Sequence, residues 1–137
     1  MPHDPALVED TRAWLRKALL DLRAADHLLR ADPPLLGQVV FHAQQAAEKA
    51  LKAFLAFHDE PFRKTHNLEE LGQQALALDA TLQPLVGSAA GLTEYAWKYR
   101  YPGEVEEPSR GEAEAALGVA RQLYEAVVAR LPKEAHP

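Results

Sequence analysis

The stretch that decides the fold is residues 36–57, LGQVVFHAQQAAEKALKAFLAF. Apolar side chains recur in it at intervals of three and four residues, which is the spacing of one buried helical face. These side chains are Val40, Ala43, Ala47, Ala50, Phe54 and Phe57. Because alanine is small, a neighbouring helix can approach this face closely. We therefore predict a long core helix from about Leu36 to Phe57.

A second long helix is predicted before it, from about Pro5 to Arg30. The side chains expected on its buried face are Leu7, Leu15, Leu19, Leu22, Ala25 and Leu29. The helix should end before Asp32-Pro33-Pro34, because proline disfavours α geometry in the residue that precedes it. The connection between the two long helices is therefore short.

Two shorter helices are predicted next. One starts near Asn67, where Asn67 and Glu70 have the spacing of a capping box. Its buried side chains are expected to be Leu68, Leu71, Ala75, Leu78 and Leu82. Pro84 then breaks this helix or opens the next, which should run from about Leu85 to Tyr99. That helix is expected to bury Leu85, Ala89, Leu92, Ala96 and Tyr99.

The last predicted helix has the clearest start, because Ser109 and Glu112 form a second capping box. Its buried seam is expected at Ala113, Leu117, Ala120, Tyr124, Val127 and Leu131. Pro132 should end it, the tail to Pro137 should fray, and the acidic loop 104–108 should be mobile. The fold class is thus all-α: one domain, residues 1–137, formed by an up-and-down four-helix bundle with an additional short helix.

Composition supports this class and limits the functions. The 137 residues include no Ile, and Ala, Leu, Glu and Arg favour helix over sheet. The absence of Cys excludes disulfides and thiolate chemistry and is typical of a cytoplasmic protein. The net charge of −5 gives no global basic field for nucleic acid. Neither a signal peptide nor an apolar segment of ~20 residues occurs, so we expect no membrane insertion.

The sequence lacks the residues that several kinds of enzyme site require. No glycine-rich loop precedes a Lys-Ser or Lys-Thr pair, so no phosphate-binding P-loop is expected. Gly87-Ser88 is not followed by an Asp-x-Asp pair that could hold Mg²⁺. The histidines show no metal-ligand spacing; they are His3, His27, His42, His58, His66 and His136. We predict neither a metal nor a cofactor.

The second predicted helix also carries a polar run from Gln44 to Lys52. Gln44 and Glu48 share one helical face, and Gln45, Lys49 and Lys52 lie on the adjoining side. One interpretation is a solvated stripe in which Glu48 and Lys52 form an ordinary ion pair worth ~0.3 kcal/mol. The other is a polar groove that meets a partner or a phosphate.

Two other segments combine polar or aromatic residues with basic ones. Arg63 and Lys64 precede a helix start, whose free N–H groups suit an anion, although Thr65 and His66 could simply assist the cap. In the second segment, aromatic residues alternate with Lys98 and Arg100, which suits stacked bases and phosphates. Its aromatic side chains, Tyr95, Trp97, Tyr99 and Tyr101, could equally be core or dimer packing.

Together these segments resemble a known family, the HEPN domains. FHAQQAAEKALKA, residues 41–53, resembles the family's second-helix signature. KTHNLEEL, residues 64–71, resembles its Thr-His-Asp/Asn-Leu turn, and RYPG, residues 100–103, its Arg-Tyr-Pro element. The order and spacing of the motifs also fit, and the resemblance covers nearly the whole chain.

The resemblance implies a helical bundle that forms a homodimer and pairs with a minimal nucleotidyltransferase. The helical chain would supply binding surface, and the partner would supply metal and catalysis. The positions that match the motifs are Gln44, Glu48, Lys49, Lys52, His66, Arg100 and Tyr101. With Arg63, Lys64 and Lys98 they form the predicted nucleotide- or partner-binding set. The prediction requires residues 44–52, 64–66 and 100–101 to converge on one polar surface.

The leading hypothesis is a non-catalytic accessory subunit in a toxin–antitoxin-like two-gene system. One alternative is a free-standing nucleotide-binding module. Another is a metal-independent ribonuclease acting on RNA, because some HEPN proteins carry Arg and His separated by four to six residues. Here that spacing occurs at Arg130 and His136, across Pro132. His66 and Arg100 are the other catalytic candidates, if a dimer brings them together.

Overall fold

The computed structural model describes residues 2–103 and 106–137, and every regular element in them is helical. The α-helices are α1 (Pro5–Arg30), α2 (Leu36–Phe57), α3 (Leu68–Leu78), α4 (Gln83–Ala90) and α5 (Arg110–Ala129). Short 3₁₀ helices cover Ala80–Leu82, Thr93–Ala96 and Lys133–Ala135. The predicted all-α fold of five helices is confirmed. None of the described helices has the length and apolarity needed to cross a membrane.

Helix α2 lies at the centre of the fold, packed between α1 and α5. Its alanines allow this position, because five of them have no exposed surface: Ala43, Ala46, Ala47, Ala50 and Ala53. Phe54 is also buried, whereas Phe57 at the helix end is only half-buried. The prolines at 33 and 34 predicted a short connection between the two helices. This connection, from Arg30 to Leu36, lets α2 run back antiparallel along α1.

Helix α1 has the predicted bounds but not quite the predicted buried face. Its buried side chains are Val8, Thr11, Leu15, Ala18, Asp21, Leu22 and Ala25. The buried row passes from Leu15 through Ala18 to Leu22, so Leu19 falls at its flank and is 38% exposed. The prediction that Leu19 is buried was therefore wrong. Leu7 and Leu29 are half-buried.

Helix α3 starts at the predicted cap, but only one half of the capping box forms. Asn67 Oδ1 accepts hydrogen bonds from the backbone N–H groups of Glu69 and Glu70. The return bond is replaced, because Asn67 N–H donates to Thr65 Oγ1 and the Glu70 carboxylate binds Arg63. Leu78 is 39% exposed rather than buried, because it ends the helix.

Helix α4 is much shorter than predicted. It ends at Ala90, and residues 93–96 form a 3₁₀ helix instead of continuing to Tyr99. Thr93 Oγ1 accepts the N–H of Leu68, which ties this segment to the start of α3. Tyr99 adopts a left-handed backbone conformation, with φ of 67°. Tertiary hydrogen bonds thus override the helical periodicity of residues 91–99.

Ser109 caps the start of helix α5, because its Oγ accepts the N–H of Glu112. Leu123 is fully buried, while the predicted Tyr124 is half-buried. The prediction that the tail frays was wrong, because residues 133–135 form a 3₁₀ helix in which Ala135 is fully buried. The predicted mobile loop 104–108 includes residues 104 and 105, which lie outside the described residues. Glu107 accepts the Gly37 N–H at 2.7 Å.

Candidate functional site

The centre of the polar run on α2 is the Glu48 carboxylate, which is buried. Its Oε1 accepts a hydrogen bond from Gln44 Nε2 at 3.1 Å and lies 2.7 Å from His66 Nδ1. Its Oε2 accepts a hydrogen bond from Lys52 Nζ at 2.9 Å. Because Gln44, Glu48 and Lys52 are all buried, the interpretation of this run as a solvated stripe was wrong.

His66 joins the loop between α2 and α3 to this network. Its side chain contacts Glu48, and its backbone carbonyl accepts a second bond from Gln44 Nε2 at 3.2 Å. The imidazole is nevertheless 63% exposed. With Nδ1–H donated to the carboxylate, Nε2 is the nitrogen left for a partner. The sequence motif containing His66 therefore reaches the α2 polar run, as predicted.

Lys52 lies beneath aromatic rings rather than on a surface. Its ammonium is 5.4 Å from the centre of the Trp14 ring and 5.9 Å from that of Phe62. Such cation–π contacts favour a charge that has lost its water. Trp14 comes from α1 and Phe62 from the loop before α3, so both close over the Glu48–Lys52 pair. Lys52 thus contributes to the fold in the described structure.

A second polar cluster centres on Asp21, which the sequence analysis did not identify. Asp21 Oδ1 lies 2.8 Å from His42 Nδ1, and Asp21 Oδ2 accepts a hydrogen bond from Lys49 Nζ at 2.6 Å. Asp21 belongs to α1, and the other two belong to α2. One sequence signal could have revealed it: Asp21 sits next to Leu22 and three residues after Ala18, so a charge falls on the buried face.

The two clusters are alike in that each carboxylate contacts one lysine and one histidine, and Glu48 additionally binds Gln44. Gln45 adds to the Glu48 cluster, because its Nε2 donates to Gln44 Oε1 at 2.6 Å. Four side chains remain partly accessible between and beside the carboxylates: His42, Gln45, Lys49 and His66. Both negative charges face cationic or polar partners inside the molecule. The accessible edge is therefore made of nitrogen-bearing groups.

Arg100 extends this edge along α2. Its guanidinium lies 4.0 Å from the centre of the Phe41 ring, and its Nη1 donates to the Ala96 carbonyl at 2.8 Å. Phe41 lies one helical turn before Gln45, on the same side of α2. We call the combined region the α2 polar surface; it consists of Phe41, His42, Gln45, Lys49, His66 and Arg100.

The segment carrying Arg100 is held by Glu112, another residue that the sequence analysis treated only as a cap. The Glu112 carboxylate accepts hydrogen bonds from the hydroxyls of Tyr95 at 2.8 Å and Tyr99 at 3.4 Å. Burial, reinforced by the nearby carboxylate, raises the pKa of Tyr95 well above its ordinary value. Beyond this anchor, Tyr101 is exposed.

The other predicted binding residues lie away from the α2 polar surface or pair elsewhere. Arg63 bonds to Glu70, and this hydrogen bond lowers the pKa of the Glu70 carboxyl. The first N–H groups of α3 are taken by Thr93 and Asn67 side chains, so Arg63 and Lys64 do not precede a free helix start. Lys98 Nζ bonds to Glu94 at 3.3 Å.

The Arg130 and His136 pair has structural contacts. Arg130 Nε donates to Asp79 Oδ2 at 2.9 Å, and its Nη2 donates to Thr81 Oγ1 at 2.8 Å. Hydrogen bonds from Thr81, followed by Arg130, lower the pKa of Asp79. His136 Nε2 lies 2.9 Å from the Val128 carbonyl oxygen. These contacts fix the C-terminal segment against α5 and the 3₁₀ helix at Ala80–Leu82.

Within residues 2–103 and 106–137, no three His, Asp or Glu side chains are grouped to hold a metal ion. The family model described as the HEPN domain matches residues 11–131. The chain belongs to the HEPN domain family. No curated protein matches this HEPN chain, and no solved structure matches it.

Proposed function

We propose that this HEPN chain is the non-catalytic helical subunit of a minimal nucleotidyltransferase, in a toxin–antitoxin-like two-gene system. The observation that carries the proposal is the α2 polar surface. The carboxylates beneath this surface, Asp21 and Glu48, are buried and contact lysine and histidine partners from within the chain. The groups left at the surface can therefore serve a second molecule without losing the fold.

The surface suits an anionic group on the partner or its nucleotide. His42, Lys49, His66 and Arg100 bring hydrogen-bond donors to one side of α2 and the adjoining segments. Each is held by an identified contact, so little side-chain freedom would be lost on binding. Such pre-organised donors favour phosphate or carboxylate oxygens. In this proposal the chain acts in the cytoplasm as a homodimer.

The residues of this chain indicate how it and the proposed partner would share binding and catalysis. The partner nucleotidyltransferase would hold the metal and perform phosphoryl transfer, for which acidic ligands are required. This chain would complete the substrate site by contact alone. It would bind and orient, while the reacting atoms stay on the partner's side.

Co-expression with a minimal nucleotidyltransferase taken from the neighbouring reading frame tests the proposal, which expects that frame to encode one. The two proteins should copurify at a fixed ratio through size exclusion. Arg100→Glu should weaken the complex by about tenfold or more, since it reverses charge at the contact. Lys133→Glu, an exposed basic position in the C-terminal 3₁₀ helix, is the matched control and should copurify normally. Failure of the wild-type pair to associate would reject the proposal.

One observation favours the ribonuclease alternative enough to test it. A buried carboxylate holding Nδ1 of an exposed histidine is an arrangement that serves general acid–base catalysis, and Glu48 and His66 form it. Clean protein incubated with RNA in a chelator would cleave it if this alternative held, and His66→Asn would abolish cleavage. If the RNA stays intact, the ribonuclease alternative is rejected and the proposed binding role of this site is retained.

A further inference from the structure

A groove lies between α1 and α5, away from the α2 polar surface. Its floor is apolar, formed by Leu19, Leu22 and Tyr124. Its rim carries two arginines and two acids: Arg23, Asp26, Arg121 and Glu125. The volume is about 240 Å³. Small-molecule sites begin near ~300 Å³, so this groove suits a few side chains better than a cofactor.

The part of α1 beside the groove is basic, although the whole helix, which also carries the exposed Glu9 and Asp10, contains five Lys or Arg and four Asp or Glu. Residues 11–30 contain five Lys or Arg and two Asp or Glu, whereas the rest of the chain contains ten and eighteen. One of the two acids, Asp21, is buried against α2. Arg16, Lys17 and Arg23 are exposed on the same helix. Of these, Arg16 and Arg23 lie on the side of α1 that carries Leu19, so they place positive charge beside the groove.

Apolar side chains are exposed within the basic face. Leu19 is 38% exposed and Leu20 is 53% exposed, one beside the groove and one among the basic residues. A phosphate backbone would need the cations but would gain nothing from the leucines. A protein surface uses both, because interface cores are apolar and their rims are polar. The combination therefore favours a protein partner.

We propose that this groove docks an acidic amphipathic helix of another protein. The apolar face of that helix would lie against Leu19 and Tyr124, and its Asp or Glu flanks would face Arg16 and Arg23. Helix-in-groove recognition of this kind uses apolar anchors spaced three and four residues apart. Asp21, which contacts α2, and Arg23, which lines the groove, lie on different sides of α1. The inference is thus independent of the α2 polar surface.

The probe for a first test is a synthetic amphipathic helix of about 18 residues, with Leu on one face and Glu on both flanks. Titrated into the isotope-labelled full chain, it should shift NMR signals of Leu19, Leu22, Arg121 and Tyr124. A second peptide with Lys in place of every Glu should bind about tenfold more weakly or worse, because its flanks would face the arginines.

Matched variants separate the groove from general surface effects. Leu19→Asp should weaken binding of the acidic peptide by about tenfold, because it places charge in the apolar floor. Leu78→Asp is the control, since Leu78 is 39% exposed on α3, and should bind as the wild type does. Arg23→Glu should weaken binding, and Lys133→Glu should not. Circular dichroism confirms that each variant is folded.

Several results would overturn the proposal. One is the absence of saturable shifts, or shifts confined to another face. Equal binding of the acidic and basic peptides would remove the charge argument. If Leu19→Asp instead dissociates a homodimer, the groove is an interface between copies of this chain. If single-stranded RNA binds and is lost with Arg23→Glu but retained with Leu19→Asp, the ligand is nucleic acid.

Discussion

His66 Nδ1 lies 2.7 Å from Glu48 Oε1, and this contact fixes the loop before α3 to the middle of α2. The same carboxylate accepts a hydrogen bond from the buried Lys52. One side chain therefore stabilises a buried cation and positions an exposed imidazole. The fold and the proposed binding surface depend on the same residue.

Removal of the Glu48 carboxylate should be strongly destabilising. Glu48→Ala leaves the Lys52 ammonium buried without its counter-charge, which typically costs about 3–5 kcal/mol of unfolding free energy. Urea unfolding followed by circular dichroism measures the loss. Glu114→Ala is the control, because Glu114 pairs with Arg110 on the exposed side of α5 and should cost under about 0.5 kcal/mol. Equal losses in the two variants would contradict the account.

The Glu48–Lys52 pair should also show strong coupling. Glu48→Leu with Lys52→Met removes both charges and restores apolar volume, so the double variant should be less destabilised than the sum of its single variants. Coupling of about 1–3 kcal/mol is expected for two residues in direct contact. Additive losses would show that the two side chains act separately.

Asp21 should matter more than its sequence position suggests. Asp21→Asn removes the charge shared by His42 and Lys49 and should cost about 1–3 kcal/mol, since Lys49 then loses its charged partner. Asp26→Asn is the comparison, because Asp26 lies on the same helix but pairs with exposed arginines. A larger loss for Asp26→Asn than for Asp21→Asn would refute this reasoning.

The sequence predicted α1 and α2 because their apolar repeats are long and prolines mark the connection between them. The motif containing His66 was correctly predicted to meet the polar run of α2. Burial of that run was not predicted, because a helical pattern cannot show that Trp14 and Phe62 close over Lys52. Contacts of Lys52 with Trp14, 38 residues earlier, and with Phe62, in a following loop, leave no mark on local periodicity.

The errors at the chain's later elements share one cause. Residues 91–99 have helical spacing, yet Tyr95 and Tyr99 bond to Glu112 and the chain turns at Tyr99 instead. The C-terminal tail ends in prolines and charges, yet Ala135 packs into the core and His136 bonds to backbone carbonyls. In both cases tertiary contacts outweigh local preference.

His58 should make stability depend on pH. Burial against the rings of Phe54 and Phe57 lowers the pKa of His58 in the folded chain, although Asp79 opposes this. As the pH falls, the His58 imidazole is therefore protonated in the unfolded chain, near pH ~6.5, before it is protonated in the folded chain. It follows that the free energy of unfolding contributed by His58 falls as pH falls through that range.

His58→Gln should make the loss of stability between pH 7.5 and pH 5.5 smaller than in the wild type. Urea unfolding at both pH values measures the difference, and His27→Gln, an exposed histidine on α1, is the control. NMR titration of the His58 ring should give a midpoint below about 6.5 in the folded protein. A midpoint above that value would show that the apolar contact does not govern this imidazole.

Gly72 should tolerate no side chain. A Cβ atom at Gly72 would lie 2.4 Å from Val86 Cγ1, so α3 and α4 could not keep their spacing. Gly72→Ala should cost about 1–3 kcal/mol, and Val86→Ala in the same chain should recover part of the loss. Gly118→Ala in α5 meets nothing within 4 Å and should stabilise the protein by up to about 1 kcal/mol. Thermal unfolding distinguishes these outcomes, and a stable Gly72→Ala variant would argue against this close approach.

Hydrogen–deuterium exchange with and without the proposed nucleotidyltransferase partner tests the central claim most directly. The account predicts that the partner slows exchange in residues 97–101 and in the loop containing His66, while the exposed end of α3 is unchanged. Core amides of α2 exchange slowly in either state and serve as the internal reference. Unchanged exchange in both segments, despite a complex detected by size exclusion, would contradict the assignment of the α2 polar surface as the binding site.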